Sequence, residues 1–299
     1  MNSVTTHPEQ TDARAAPDPA ALAAMRPIKG PTALGSDPRR FWHLTRTLAI
    51  TEFKLRFFGS ALGYLWQLMR PLLLFGILYV LFSKILALDS APFYAEALLL
   101  GLVLYTFFAD ATKGSLSSLV NRESLLRKIE FPRLAVPLAT VLTALFNLAL
   151  NLLPVFVFLL VDGGSVRVQW LEFPILIVLL VVLSTGLAML LSSLYVRYRD
   201  IEPIWDVVLS LMFYGTPIFY TITTVAERSE TLGQLVMLNP FAAILQQSRY
   251  AIFGSGHPSA AEAIGGTLRL GLPLAIAIAI LIIGWLVFSR RAPRIAEEL

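Results

Sequence analysis

The sequence predicts an all-α integral membrane protein with six transmembrane helices, an N-terminal amphipathic interfacial helix, and short re-entrant helices before the last span. Three observations carry that expectation. Hydrophobic residues make up 56% of the 299 residues and charged residues only 15%, against roughly 25% charged in soluble domains. Apolar runs of about 20 residues recur along the chain, the length a helix needs to cross hydrocarbon. Arg and Lys gather in alternate loops between those runs.

Residues 1–36 are rich in Pro, Ala, Thr and Asp and lack apolar periodicity, so they read as a disordered tail. No apolar stretch of the signal-peptide kind follows a basic start, which leaves the tail in the cytoplasm. Residues 37–63 differ. Phe41, Leu44, Leu48, Phe53, Leu55 and Phe58 alternate with Arg39, Arg40, Arg46, Glu52, Lys54 and Arg56 at roughly helical spacing. Such a basic amphipathic helix lies in the membrane interface, where Trp42 and His43 meet headgroups. The alternative is a helix packed on a soluble cytoplasmic domain.

The transmembrane domain occupies residues 64–289. Its spans are predicted near Leu65–Leu86, Ala95–Leu119, Leu134–Val161, Trp170–Tyr195, Ile204–Thr221 and Leu268–Phe288. Charges or Gly-Pro breaks intrude on the first and fifth. Arg122, Arg127, Lys128 and Arg133 follow the second span, Arg197 and Arg199 the fourth, and Arg290, Arg291 and Arg294 the last. With the basic segment before the first span, this alternation places both termini in the cytoplasm, the last as a tail over 290–299. The connection after the fifth span, about 45 residues, is too long and too patterned for a plain loop. Thr231–Leu238 reads as a short helix, Asn239–Pro240 as a break, and Phe241 to Phe253 as a helix too short to span, so a re-entrant or interfacial pair is expected.

Cysteine is absent and the three histidines, His7, His43 and His257, are scattered, which predicts no metal site. The sequence has no GxxxxGK[ST] loop and hence no ATP site of that kind on this chain. No Ser-His-Asp or paired-carboxylate set is recognisable; Asp162, Glu172, Asp200 and Glu202 sit at loop edges. The net charge of +4 and pI near 9.4 follow from basic cytoplasmic loops and predict no nucleic-acid partner. Within the spans Asp110 and Lys113 stand i, i+3 apart. They suit a neutralising pair or a pore-lining role, and less well the midplane carboxylates of an ion-coupled transporter. In the second cytoplasmic loop, a short helix over Ser124–Ile129 ends before Phe131-Pro132-Arg133, because Pro132 disfavours helix at Phe131. This compact charged knob suits a soluble partner.

These stretches carry a resemblance. FKLRFFGSALGYLWQLMRPLLL (Phe53 to Leu74), LLRKIEFPRLAVPLA (Leu125 to Ala139), YVRYRDIEPIW, MFYGTPIFY and LNPFAAILQQSRYAIFG follow one another as in permease subunits of type-2 ABC exporters. The similarity is strongest to the polysaccharide branch, whose members export O-antigen, capsule, teichoic acid and galactan-type glycans. It covers about Arg40 to Arg290. Arg70 before Pro71 departs from the pattern, where a neutral polar residue such as Asn is expected; the long tail departs too.

The resemblance implies a homodimeric permease in the bacterial cytoplasmic (inner) membrane, driven by two copies of a cytoplasmic ABC ATPase that bind the ATP and Mg. It implies a lipid-linked glycan as substrate, moved outward. Asn121, Arg122, Glu123, Arg127, Lys128, Phe131 and Arg133 are then expected to couple to the ATPase, and the 37–63 helix to meet membrane lipid or that ATPase. Aromatic faces pack on the C–H faces of sugar rings, which makes Tyr64, Trp66, Tyr105, Phe107, Phe108, Phe213, Tyr214, Phe219 and Tyr220 candidates for the glycan path; packing or lipid contact is the competing role for each. Gly215 and Pro217, with Asn239 and Pro240, are expected to form the outer gate, since Pro217 lacks an amide hydrogen and its ring clashes with the carbonyl of Phe213. The competing functions are a drug or small-lipid exporter of the same fold, a membrane-embedded glycosyltransferase or acyltransferase, and an ion-coupled transporter. The last two lack the clustered acids and histidines, or the internal repeats, that they require.

Overall fold

Apolar runs without water to bond their backbones become helices, since each helix satisfies its own N–H and C=O groups. The computed structural model describes residues 33–34, 37–57, 63–87, 91–128, 131–254 and 256–295. The rest of the predicted tail, and Phe58, lie outside the described residues. In chain order the helices are α1 (Pro38–Phe57), α2 (Gly63–Tyr79, continued by a π turn over Val80–Ile85), α3 (Tyr94–Ser118), α4 (Glu123–Lys128), α5 (Ala135–Val161), α6 (Glu172–Tyr195), α7 (Ile201–Gly215), α8 (Ile222–Arg228), α9 (Glu230–Met237), α10 (Pro240–Phe253), α11 (Ala260–Ile264) and α12 (Gly271–Arg291). No strand occurs among the described residues.

Five stretches are long and apolar enough to cross a membrane: Leu68–Ile85, Tyr94–Ser118, Ala135–Val161, Val168–Tyr195 and Gly271–Arg294. The fifth predicted span behaves differently. Its helix, α7, has 15 residues and stops at Gly215. Thr216 is extended (φ −95°, ψ 144°), as the residue before a proline is driven to be. The chain nevertheless runs most of the length of α3. Trp205 Nε1 donates to Thr112 Oγ1 (3.1 Å), Tyr105 Oη donates to the Leu209 carbonyl (2.7 Å), and Tyr94 Oη donates to the Phe219 carbonyl (2.6 Å). The two segments are therefore antiparallel. From Thr112 to Tyr94, α3 rises roughly 27 Å.

The centre of the fold is α3. Leu98, Leu99, Leu100, Leu102, Leu104 and Phe108 are fully buried against its neighbours. The outward faces of α2, α5, α6 and α12 are apolar instead, with Ile77, Leu153, Val157, Ile175, Val178 and Ile282 among the exposed residues. At the end of the bundle where α3 stops and α5 begins, labelled the inner end, a second cluster gathers Leu126, Phe131, Leu134, Val196, Phe288 and Ile295. Ala33, in the stretch read as tail, is buried there and its carbonyl accepts from the Leu134 amide (3.2 Å).

Helices α6 and α12 run parallel: Gly186 meets Gly284, and further along both helices Arg291 Nη1 donates to the Ser193 carbonyl (3.3 Å). The two backbones nearly touch: a Cβ on Gly284 would sit 2.1 Å from the Gly186 carbonyl oxygen, and one on Gly186 would sit 2.8 Å from Leu281 Cα. Small residues let membrane helices approach this closely. Gly284→Ala is expected to force the helices apart and destabilise the protein by about 1–3 kcal/mol, the usual cost of overpacking. Thermal unfolding of the detergent-purified protein measures this; a midpoint equal to wild type would contradict the packing.

Candidate functional site: a polar groove closed by an aromatic cluster

Between Tyr105 and Ser118, the residues of α3 that are not buried are Tyr105, Thr106, Ala109, Asp110, Lys113, Gly114 and Ser117. Spaced three and four apart, they form one face of the helix. That face is polar, whereas the uncovered faces of the other spans are apolar. Two cavities lie along it and share Asp110. The inner one, about 600 Å³, is lined by Lys113, Ser117, Asn121, Arg122, Glu52 and Thr140, among others. The second, about 550 Å³, is lined by Arg70, Tyr105, Thr106, Asp110 and Phe213, among others. Lys113 Nζ lies 2.6 Å from Asp206 Oδ1 and so ties α3 to α7; both side chains are half exposed. Ionisable groups in membrane helices face a bundle interior or a water-filled cavity, not lipid. A polar groove thus follows α3 from its inner end toward mid-helix.

Aromatic rings continue the line. Tyr105 meets Phe213 edge-on (5.0 Å between centroids), Phe213 meets Phe219 (5.8 Å), and Phe219 stacks on Phe82 (4.6 Å) and packs against Tyr220 (5.2 Å). Beside this cluster lies the break after α7. Arg249, fully buried on α10, holds it. Its Nη1 donates to the Pro217 carbonyl and its Nη2 to the Ile218 carbonyl (2.5 Å each), while Nε and Nη2 also reach the Ala97 carbonyl of α3 (3.4 and 3.3 Å). Breaking a helix leaves carbonyls without amide partners, and here a buried cation supplies the donors. There is no room to spare: a Cβ on Gly101 would lie 3.2 Å from Arg249 Nη2. Asn239 ties the next helix to the same break. Its Nδ2 donates to Thr216 Oγ1 (3.3 Å), and its Oδ1 caps α10 by accepting from the Phe241 amide (3.0 Å), with Pro240 as the first helical residue. Nearby, burial first and the Arg249 charge second push the His257 imidazole down to about 4. The ring is therefore neutral, and its Nε2 donates to the Pro92 carbonyl (3.0 Å).

At the inner end, α1 packs on α5 through the small residues Thr45 and Ala49 and through the Phe53–Phe146 ring contact (5.6 Å). Glu52 pairs with Arg122 at the floor of the groove, and Thr143 Oγ1 lies 3.2 Å from the Glu52 carboxylate. Desolvation lowers the pKa of the half-buried Arg122 guanidinium. The knob is a 3-10 turn over Val120–Arg122 followed by the six-residue α4.

The predicted residues thus divide. Tyr105, Phe213, Phe219 and Tyr220 share the aromatic line, and Tyr214 and Trp66 are exposed at its side and on α2. Phe107 and Phe108 pack in the core on the opposite face of α3, Phe108 against Phe241 (5.2 Å). The side chains of Tyr64, Arg56, Arg127 and Lys128 lie outside the described residues. Gly215, Pro217, Asn239 and Pro240 come together with Thr216, which is buried. In the knob Asn121 is exposed and Glu123 half-buried, Arg122 turns inward to Glu52, and Phe131 and Arg133 are buried. On α1, Arg39, Arg40, Arg46 and Lys54 are exposed. Sequence reasoning missed Asp206, Arg70's place in the groove, and above all Arg249. The available signal was a lone arginine among apolar residues at helical spacing in LNPFAAILQQSRYAIFG.

Residues 43–253 match the family described as ABC-2 type transporter. The chain belongs to that family. The matched region runs from α1 to the end of α10, so it contains the groove, the knob, the aromatic line and Arg249. Among its relatives are two O-antigen export system permease proteins, both 29% identical. The one from Klebsiella pneumoniae aligns over 65% of this chain and 74% of its own length, and the one from Myxococcus xanthus over 69% and 78%. The polysialic acid transport protein of Escherichia coli is 21% identical over 69% of this chain and 79% of its own. The ABC-2 chain described here is a membrane-embedded permease subunit, and its family implies an ABC ATPase partner.

In this ABC-2 permease the Arg249 guanidinium supplies donors to the Pro217 and Ile218 carbonyls of the broken segment, and each buried carbonyl left unpaired costs about 1–3 kcal/mol. Arg249→Gln is expected to lower the unfolding midpoint and open the 216–218 segment to protease, with Arg249→Lys intermediate. Wild-type melting and protease resistance in both variants would contradict its anchoring role.

Proposed function

We propose that this chain is the membrane half of an ATP-driven exporter that carries a lipid-linked polysaccharide from the cytoplasmic side of the inner membrane to its outer side. The observation that carries the reading is the polar face of α3, a groove on a membrane-spanning helix that runs into a line of aromatic rings. Charged and hydroxyl groups bond sugar hydroxyls, and Tyr105, Phe213 and Phe219 offer faces for sugar rings. The relatives' names point to the same substrate class. One chain leaves the groove open on one side, and a second copy across it would complete the path, so the permease works as a homodimer.

Six crossings with both termini inside fit this reading. The parallel course of α6 and α12 requires the intervening chain to return to the side where α6 began, and α7 with its extended end is the segment that climbs antiparallel to α3. The break after α7, held by Arg249 and Asn239, is the outer gate. At the other end the 121–131 knob docks one of two ATPase copies, which bind ATP and Mg. Phe131 and Arg133 hold the knob down, while Asn121, Arg127 and Lys128 meet the partner. The basic side of α1 faces lipid phosphates or the same ATPase.

Deleting the gene is expected to remove the surface polysaccharide and leave its lipid-linked form inside the cell. Wild-type protein restores export; the Arg127→Glu/Lys128→Glu double variant folds and inserts but restores less than about a tenth, a coupling loss of the kcal/mol order expected for a charge-reversed interface. Surface polysaccharide that survives the deletion unchanged would sink the substrate assignment, and full export by the double variant would remove the knob from coupling.

A further inference from the structure

At the inner end of the molecule, α6 and α12 finish side by side. Arg197 Cζ lies 5.4 Å from the centre of the Tyr198 ring, and Arg291 Cζ lies 5.8 Å from the centre of the same ring. Arg291 is further fixed by its bond to the Ser193 carbonyl. Arg290 and Arg294 stand exposed beside them. Among the described residues no carboxylate pairs with any of these four arginines. The carboxylates nearest in sequence to Arg197 are Asp200, which is exposed and forms no ion pair with it, and Glu202, which accepts from Tyr195 Oη (2.8 Å); Arg199 is drawn over the Tyr195 ring at 4.8 Å.

Two guanidinium groups gathered on one aromatic ring repel each other, and the ring offsets only part of that repulsion. An anion between them removes the rest, and the planar forks of arginine match phosphate oxygens. The position selects the anion. Both helices are apolar spans that end here, at Tyr195 and Arg291, so the cluster sits where they leave the hydrocarbon and enter the headgroup layer. We propose that Arg197, Tyr198 and Arg291 form a binding site for the phosphate of an anionic phospholipid in the leaflet at this end of the protein. The site rests on two membrane spans and their charges, and stands whether or not the exported substrate is a polysaccharide.

The test is native mass spectrometry of the full chain, released from detergent after equilibration with phosphatidylglycerol or phosphatidylcholine of identical acyl chains. Wild type is expected to retain a phosphatidylglycerol that phosphatidylcholine does not replace. Each arginine near the surface is worth roughly a fivefold change in affinity, so Arg197→Gln/Arg291→Gln weakens that binding about thirtyfold. Tyr198→Phe keeps the ring and the binding; Tyr198→Ala loses several-fold. Should the double variant fail to fold, Arg197→Gln alone decides, since the Arg197 side chain is exposed and ties no backbone carbonyl among the described residues; it is expected to lose about fivefold. Equal retention of the two lipids by wild type, or unchanged phosphatidylglycerol binding in Arg197→Gln, overturns the proposal. So does a double variant that keeps the lipid but no longer co-purifies with its ABC ATPase, which would assign the patch to the protein partner.

Discussion

Placing an ionised Asp, Lys or Arg at the centre of a membrane helix costs about 3 kcal/mol even by the mildest scales, and the cost disappears only if the group meets water or a partner. Asp110, Lys113 and Asp206 sit on helices of this bundle, and the architecture is arranged around keeping them from lipid. Lys113 and Asp206 neutralise one another across α3 and α7. Asp110 lies where two cavities meet. The rest of α3 then has to be apolar and buried, which makes it the central helix, while its neighbours turn Leu, Ile and Val outward. The groove is the consequence of one helix carrying polar residues on a single face inside an apolar shell.

The same constraint explains the two ends. Where the chain breaks helix at Thr216 to Ile218, backbone carbonyls need donors inside a site with little water, and Arg249 brings them from α10. Where the groove meets the knob, Glu52 of α1 and Arg122 of the knob close its floor as a pair. A movement of the knob therefore acts on α1 and on the groove at once. That links the surface suited to an ATPase with the path proposed for the glycan, through one ion pair rather than through a long relay.

Much of the fold was legible because it depends on local pattern. Apolar length located α3 and α5 to within a residue or so, and the Asn239–Pro240 break marked where α10 starts, with Asn239 as its cap in the structure. The fifth span was shorter than its apolar run because the constraint from Pro217 propagates back to Thr216. What local pattern does not encode is which face of a helix meets which neighbour. Phe107 and Phe108 are as aromatic as Tyr105, yet they lie on the side of α3 that packs against Phe241. Lys113 finds Asp206, and Arg122 finds Glu52, through the fold rather than along the helix. Arg249 acquires its role only in the fold, where three carbonyls from two other segments converge on it.

The central claim is that the uncovered face of α3 lines a water-filled path. Single cysteines along that helix in membrane vesicles, probed with a small charged thiol reagent, test it most directly. The account predicts reaction at Thr106, Asp110, Lys113 and Ser117 and protection at Leu104, Ala111, Thr112 and Ser115, a helical pattern in which the reactive positions stand three and four apart. Uniform protection of Thr106, Asp110, Lys113 and Ser117 with the ATPase present and nucleotide cycling, or reaction without that periodicity, would contradict it.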